Sequence, residues 1–224
     1  MGMKRYEPAF RFSAAKVGAD ELDMNRQYII MHPSVDPVWF GTSAVGTQTQ
    51  ARALVVTNTK ADYPRNIVGA VASAAGSVSG GTWIVNGKNQ FGETIQSTIA
   101  IAPATGGGTV AGTKIFAEVS SGTFTFGTGD PGNGTPRLGV AIGTSASLQH
   151  LFGLPDRIAS TADVKSLLWI NNGTSTTVNG GSIGAYVGTA NNTFQGTAVV
   201  AVTDRFVVNM RSSFVTEENN VQSL

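Results

Sequence analysis

From about residue 51 the chain is a succession of short β-prone runs separated by Gly, Asn and Ser, and no stretch sustains a helical period. The runs cover residues 53–57, 66–71, 82–86, 93–101, 114–119, 122–127, 138–142, 164–170, 182–187, 196–202 and 205–210. Short runs at this spacing, punctuated by turn formers, predict an antiparallel β-sandwich or a barrel-like domain. Asn86-Gly87 between two such runs predicts a hairpin turn over 86–89, because both residues tolerate positive φ. In 122–127 threonine alternates with Phe124 and Phe126, which puts both rings on one face of a strand. Rings so placed are expected in a core rather than on a ligand-stacking surface. The one sizeable helical candidate is short, near 145–151.

The first 50 residues differ. Residues 1–65 hold nearly half of the charged residues and four of the eight prolines, Pro8, Pro33, Pro37 and Pro64. Pro33 and Pro37 break any helix begun earlier. A helical turn is possible over 20–24 and a strand over 27–31. Phe10, Phe12, Tyr28, Ile29, Ile30, Trp39 and Phe40 are too many large apolar side chains for a solvated leader. The expected organisation is therefore an extended arm over 1–50, a β-sandwich or barrel domain over 51–215, and a polar tail over 216–224.

Composition narrows the function. The chain has 224 residues, 41% of them hydrophobic, and its fifteen basic and fourteen acidic residues leave a net charge of +1. A chain this apolar and this weakly charged is not disordered. Near-neutrality argues against a partner bound through phosphate neutralisation, so no specific nucleic acid is expected. No run reaches the roughly 18 apolar residues of a membrane helix, so no membrane partner is expected. The start lacks the apolar stretch of a secretory signal. With no cysteine, disulfides, thiolate metal sites and cysteine nucleophiles are out. Charged residues make up 13%, against about 25% in an ordinary domain. Either uncharged polar groups cover much of the surface, or other subunits do.

Candidate chemistry is sparse. Gly127-Thr128-Gly129-Asp130-Pro131-Gly132 matches the dinucleotide pattern, but Asn133, Gly134 and Pro136 follow where a helix must begin. His32 and His150 have no second ligand at metal spacing and are expected to be structural. No Gly-x-Ser-x-Gly elbow surrounds any serine. Asp156 and Asp204 each precede an arginine, which suggests ion pairs or subunit contacts rather than a raised-pKa acid. No catalytic residue, cofactor site or metal site is expected, and the chain is not expected to be an enzyme.

Four segments occur in a fixed order: Pro64-Arg65-Asn66-Ile67-Val68; Gly80-Gly81-Thr82-Trp83-Ile84-Val85-Asn86-Gly87; Gly112-Thr113-Lys114-Ile115-Phe116; and Gly153-Leu154-Pro155-Asp156-Arg157-Ile158. This series, over about residues 60–211, resembles a module of tailed-bacteriophage virion proteins of the head decoration or cement type. The resemblance implies a structural protein on the capsid surface, assembled in the host cytoplasm, whose partner is the major capsid protein of the same virion. It also implies a homo-oligomer, with a trimer as the first guess. The arm lies outside the resemblance. Its expected role is intersubunit contact, with Phe10, Phe12, Tyr28, Trp39 and Phe40 as anchors and Arg5, Arg11 and Arg26 at the rim. Two other readings stay open. A tail-tube or neck subunit would form rings, and a carbohydrate-binding or adhesive module would expose Trp83, Phe124 and Phe126.

Overall fold

The structure is a computed structural model that describes residues 9–10, 25–31, 33–46, 49–78, 80–128, 134–140, 150–158, 160–171, 174–177, 187–188, 190, 192–195 and 205–211. The chain is all-β. In order, the strands are β1 (Ala9–Phe10), β2 (Asn25–Met31), β3 (Asp36–Ser43), β4 (Ala51–Val56), β5 (Lys60–Val78), β6 (Gly81–Lys88), β7 (Thr94–Ile101) and β8 (Ala104–Phe126). Then come β9 (Gly134–Val140), β10 (Leu151–Gly153), β11 (Val164–Asn171), β12 (Thr174–Thr177), β13 (Val187–Gly188), β14 (Thr193–Gln195) and β15 (Arg205–Arg211). Among the described residues one 3-10 turn, Thr161–Asp163, precedes β11, capped by the Ser160 side chain on the Ala162 amide.

Two compact units share the chain, one of residues 33–153 and 195–202, the other of residues 1–32, 154–194 and 203–224. The division thus falls at 32/33 and 153/154 rather than at residue 50. Part of the segment read as an arm is strand: β2 belongs to one unit and β3 to the other.

In the unit of residues 33–153, strands β3, β4, β8, β5 and β9 pair in that order, and β9 returns to β3, which closes an antiparallel barrel. The hairpin β6–β7 extends from the far edge of β8. Strand β8 is long enough to serve both: its 104–118 stretch pairs with β5 and its 118–126 stretch with β6. The expected runs 114–119 and 122–127 are therefore one strand. Gly122 does not interrupt it, because its bare backbone lies against Leu54 and Trp83. The core is Phe40, Leu54, Ile67, Val71, Trp83, Val85, Ile99, Ile101, Phe116, Val119, Phe124, Phe126, Leu138 and Val140. Residues 67–71 of β5 are all buried, which is why that stretch is a continuous apolar run instead of an alternating one.

The expected turn at 86–89 lies further on. Strand β6 runs through Asn86-Gly87 to Lys88, and the chain reverses over 89–92, where Gly92 has φ +80°. The Asn89 carboxamide accepts the amides of Phe91 (3.0 Å) and Glu93 (2.9 Å), an Asx-type turn. Gly87 is glycine for a different reason: a Cβ there would collide with the Glu118 carbonyl of β8. Gly41 combines two such demands, with φ +136° and a β4 carbonyl, that of Val55, where its Cβ would be. Gly41→Ala is expected to cost about 2 kcal/mol, read as a lower urea midpoint with an unchanged slope.

The other unit carries a five-stranded sheet in the order β1-β2-β15-β11-β12. Tyr28 and Ile30, and Phe206, Val208 and Met210, alternate along their strands and are buried, as are Val164 and Leu167 on either side of an irregularity in β11. Phe194 joins them, edge-on to Tyr28 at 6.4 Å and tilted to Phe206 at 5.9 Å. Asn192, at φ 49°, fastens the 154–158 segment: its backbone carbonyl accepts from the Leu154 amide and its side chain from the Ile158 amide, both at 2.7 Å. Residues 11–24, 145–149, 178–186, 196–204 and 212–224, which include the expected turn at 20–24, most of the helix at 145–151, the runs at 182–186 and 196–202, and the tail, lie outside the described residues.

Candidate functional site

Two features of the barrel unit stand apart from ordinary packing. The first is the outward face of β4, β8, β6 and β7. Registration sets Ala53 opposite Thr123, Thr123 opposite Ile84, and Ile84 opposite Thr98. The neighbouring row is Ala51, Thr125, Thr82 and Ala100. On the other side, Gln96 Nε2 donates to Asn86 Oδ1 (2.8 Å) and Asn86 Nδ2 to Ser121 Oγ (3.3 Å), a side-chain ladder across three strands. Val55, 69% exposed, adds an apolar knob beside Ala53. None of these residues is charged. Charges come at the rim, where Lys88 pairs in register with Glu118 and Lys114 Nζ donates to the Gln96 carbonyl (2.7 Å). The inward side of the same strands holds Leu54, Phe124, Phe126, Trp83, Val85, Ile99 and Ile101, so period-2 alternation assigns the two faces. A sheet face in contact with water ordinarily carries charges that keep copies apart. The centre of a protein–protein contact is depleted of them.

The second feature is a buried polar cluster where β10 meets β5. Arg65 is 1% exposed. Its Nη1 donates to the Ser34 carbonyl (2.9 Å) and to the Asp62 carboxylate (3.3 and 3.4 Å), while Asp62 Oδ2 accepts the Ser34 amide (2.6 Å). The guanidinium lies over the Phe152 ring, 4.8 Å from its centroid, in the registered pair Phe152–Arg65. Burial lowers the Arg65 pKa, and the Asp62 charge and hydrogen bond act to raise it. Next along β5, Asn66 donates to the Gly112 carbonyl (2.8 Å) and accepts the Leu151 amide (2.9 Å), tying the start of β10 to β5 and β8. His150 is 3% exposed. Burial first, and the Arg65 charge second, push its pKa down to about 4. The imidazole is therefore neutral at pH 7.

The expected interface residues are spread over both units. Phe40 is buried in the barrel core and Tyr28 in the core of the five-stranded sheet. Trp39 is half-buried and donates its Nε1 to the Lys60 carbonyl (2.8 Å). Phe10 and Arg26 are registered partners in β1 and β2, and their side chains lie outside the described residues. So do Arg5, Arg11 and Phe12. The rings named for a sugar-binding face, Trp83, Phe124 and Phe126, are all core: Phe124 is 5.2 Å from Trp83 and 4.9 Å from Phe126. His32 lies outside the described residues. Among the described residues no three His, Asp or Glu side chains stand close enough to hold a metal ion, and no helix is long and apolar enough to cross a membrane.

Sequence reasoning missed the Arg65–Asp62–His150 neighbourhood. The available signal was an Arg-Asn pair leading directly into the apolar run Ile67-Val68, where side chains on both faces of a strand are buried. No family model, curated protein or solved structure matches the chain.

Proposed function

We propose that the chain is a non-enzymatic structural protein of a tailed-bacteriophage virion, a capsid decoration or cement protein that binds the outer shell and stabilises it through subunit contacts. The uncharged outward face of β4, β8, β6 and β7 carries this reading. It is broad, regular and apolar enough to lose water on contact, and its Thr, Asn, Gln and Ser groups form hydrogen bonds with little side-chain entropy to lose. Its partners in this reading are the major capsid protein and further copies of the chain. The ordered series of motifs around Arg65-Asn66, Trp83, Lys114 and Leu154-Pro155 supports the same assignment by resemblance.

Electron cryomicroscopy of particles that contain the chain tests it. Density for the barrel on the outside of the shell, at symmetry-related positions, is the expected result. Density in a tail tube or neck ring overturns the decoration role. The arm has its own test. Removing residues 1–24 leaves β2 and β3 whole and is expected to lower occupancy on particles at least tenfold. Unchanged occupancy removes the arm from the contact.

A further inference from the structure

The Arg65 guanidinium is satisfied at one end only. Nη1 is held by Ser34 and Asp62, whereas Nη2 has no hydrogen-bond partner among the described residues. Neither ring nitrogen of His150 has one either. The pair Phe152–Arg65 fixes the register of β10 on β5. Residues two apart on extended chain share a face, so His150 falls beside Phe152 on the side of the Arg65 head group. Three unpartnered polar nitrogens in one buried neighbourhood are unusual, since buried polar groups are nearly always hydrogen-bonded and a charged donor left without a partner is the most costly kind.

The charge balance selects the occupant. Asp62 is engaged by Nη1 and by the Ser34 amide, which leaves Nη2 as the end of the guanidinium without a carboxylate. The Arg65 charge acts on His150, and Nη2 is a charged donor without a partner. A cation is repelled from such a place and an anion is drawn to it. With both residues under 4% exposed, the occupant is small. We propose that Arg65 Nη2 and the His150 imidazole bind one small monovalent anion, of the size of chloride or formate, in a buried site that fastens Leu151–Gly153 to the edge of β5. Among the described residues, β10 is tied to β5 by the registered pair Phe152–Arg65 and by the Leu151 amide on Asn66, so a shared anion adds a third tie to that junction.

The test compares the whole protein in sodium chloride, sodium formate and sodium gluconate at equal ionic strength, gluconate being too large to enter. Nuclear magnetic resonance titration of the His150 ring is expected to show a pKa at least one unit higher in chloride or formate than in gluconate, saturating with concentration. Thermal unfolding is expected to shift upward with the same saturation. His150→Phe keeps an aromatic ring but no nitrogen and is expected to lose the salt-specific shift, and bromide is expected to give an anomalous scattering peak between the two side chains. A response to chloride or to formate that the His150→Phe variant lacks supports the site. Identical His150 titration and identical unfolding in all three salts overturns it.

Discussion

Ala53→Asp combined with Ile84→Asp is expected to lower binding to the shell by about a hundredfold or more while leaving the isolated protein folded. Both side chains face outward, on strands separated by β8, so the two new carboxylates are not direct cross-strand neighbours. Exposed substitutions of this kind usually change stability by less than about 0.5 kcal/mol. In a contact that excludes water, a carboxylate without a partner costs several kcal/mol, and about 2.7 kcal/mol already corresponds to a hundredfold change. Occupancy on particles, measured beside thermal unfolding of the free protein, separates the two effects. Undiminished occupancy with an intact fold removes this face from the interface. The control is Lys88→Glu at the rim, where a charge is already tolerated and a much smaller loss is expected.

Acid is expected to weaken the barrel unit through His150. Its pKa is about 4 in the folded protein against an ordinary 6.5. Between those values the unfolded chain binds more protons than the folded one, so stability rises with pH across the window. The contribution is fully present above pH 6.5, falls as pH drops through the window, and levels off below pH 4. A shift of this size corresponds to about 3 kcal/mol at the acid limit. Among the described residues, the charge that acts on the imidazole is that of Arg65. Urea unfolding from pH 7 to pH 5 in gluconate, where no small anion offsets the repulsion, is expected to show a steeper fall for the natural protein than for His150→Gln. Parallel curves for the two proteins assign the acid sensitivity elsewhere.

Much of the architecture was legible because period-2 alternation is a local property. Trp83 and Val85 inward with Thr82, Ile84 and Asn86 outward can be read from five consecutive residues, and burial follows directly. The core role of Phe124 and Phe126 was legible in the same way. Turn position was less so. Asn86-Gly87 has the composition of a hairpin turn, yet the glycine answers to the Glu118 carbonyl of a strand more than 30 residues away, and the turn is made by Asn89 and Gly92 instead. Nothing adjacent to Gly87 in the chain announces that neighbour.

The amino-terminal segment shows the same limit. Its aromatic content rightly excluded a solvated leader for the described part, but β2 and β3 separate into different units. Partner choice depends on register with β15 for one and with β4 and β9 for the other. Low charge was plain from composition. That the uncharged residues of four strands align into one face, and that Arg65 and His150 are buried in one neighbourhood beside β10, required the closed barrel. The sequence by itself determined the class of fold and the inward set of each strand, because alternation and turn chemistry act over a few residues. Only the tertiary structure decided which strands adjoin, and hence which polar groups are buried together, because strand pairing joins residues whose separation along the chain carries no local signal.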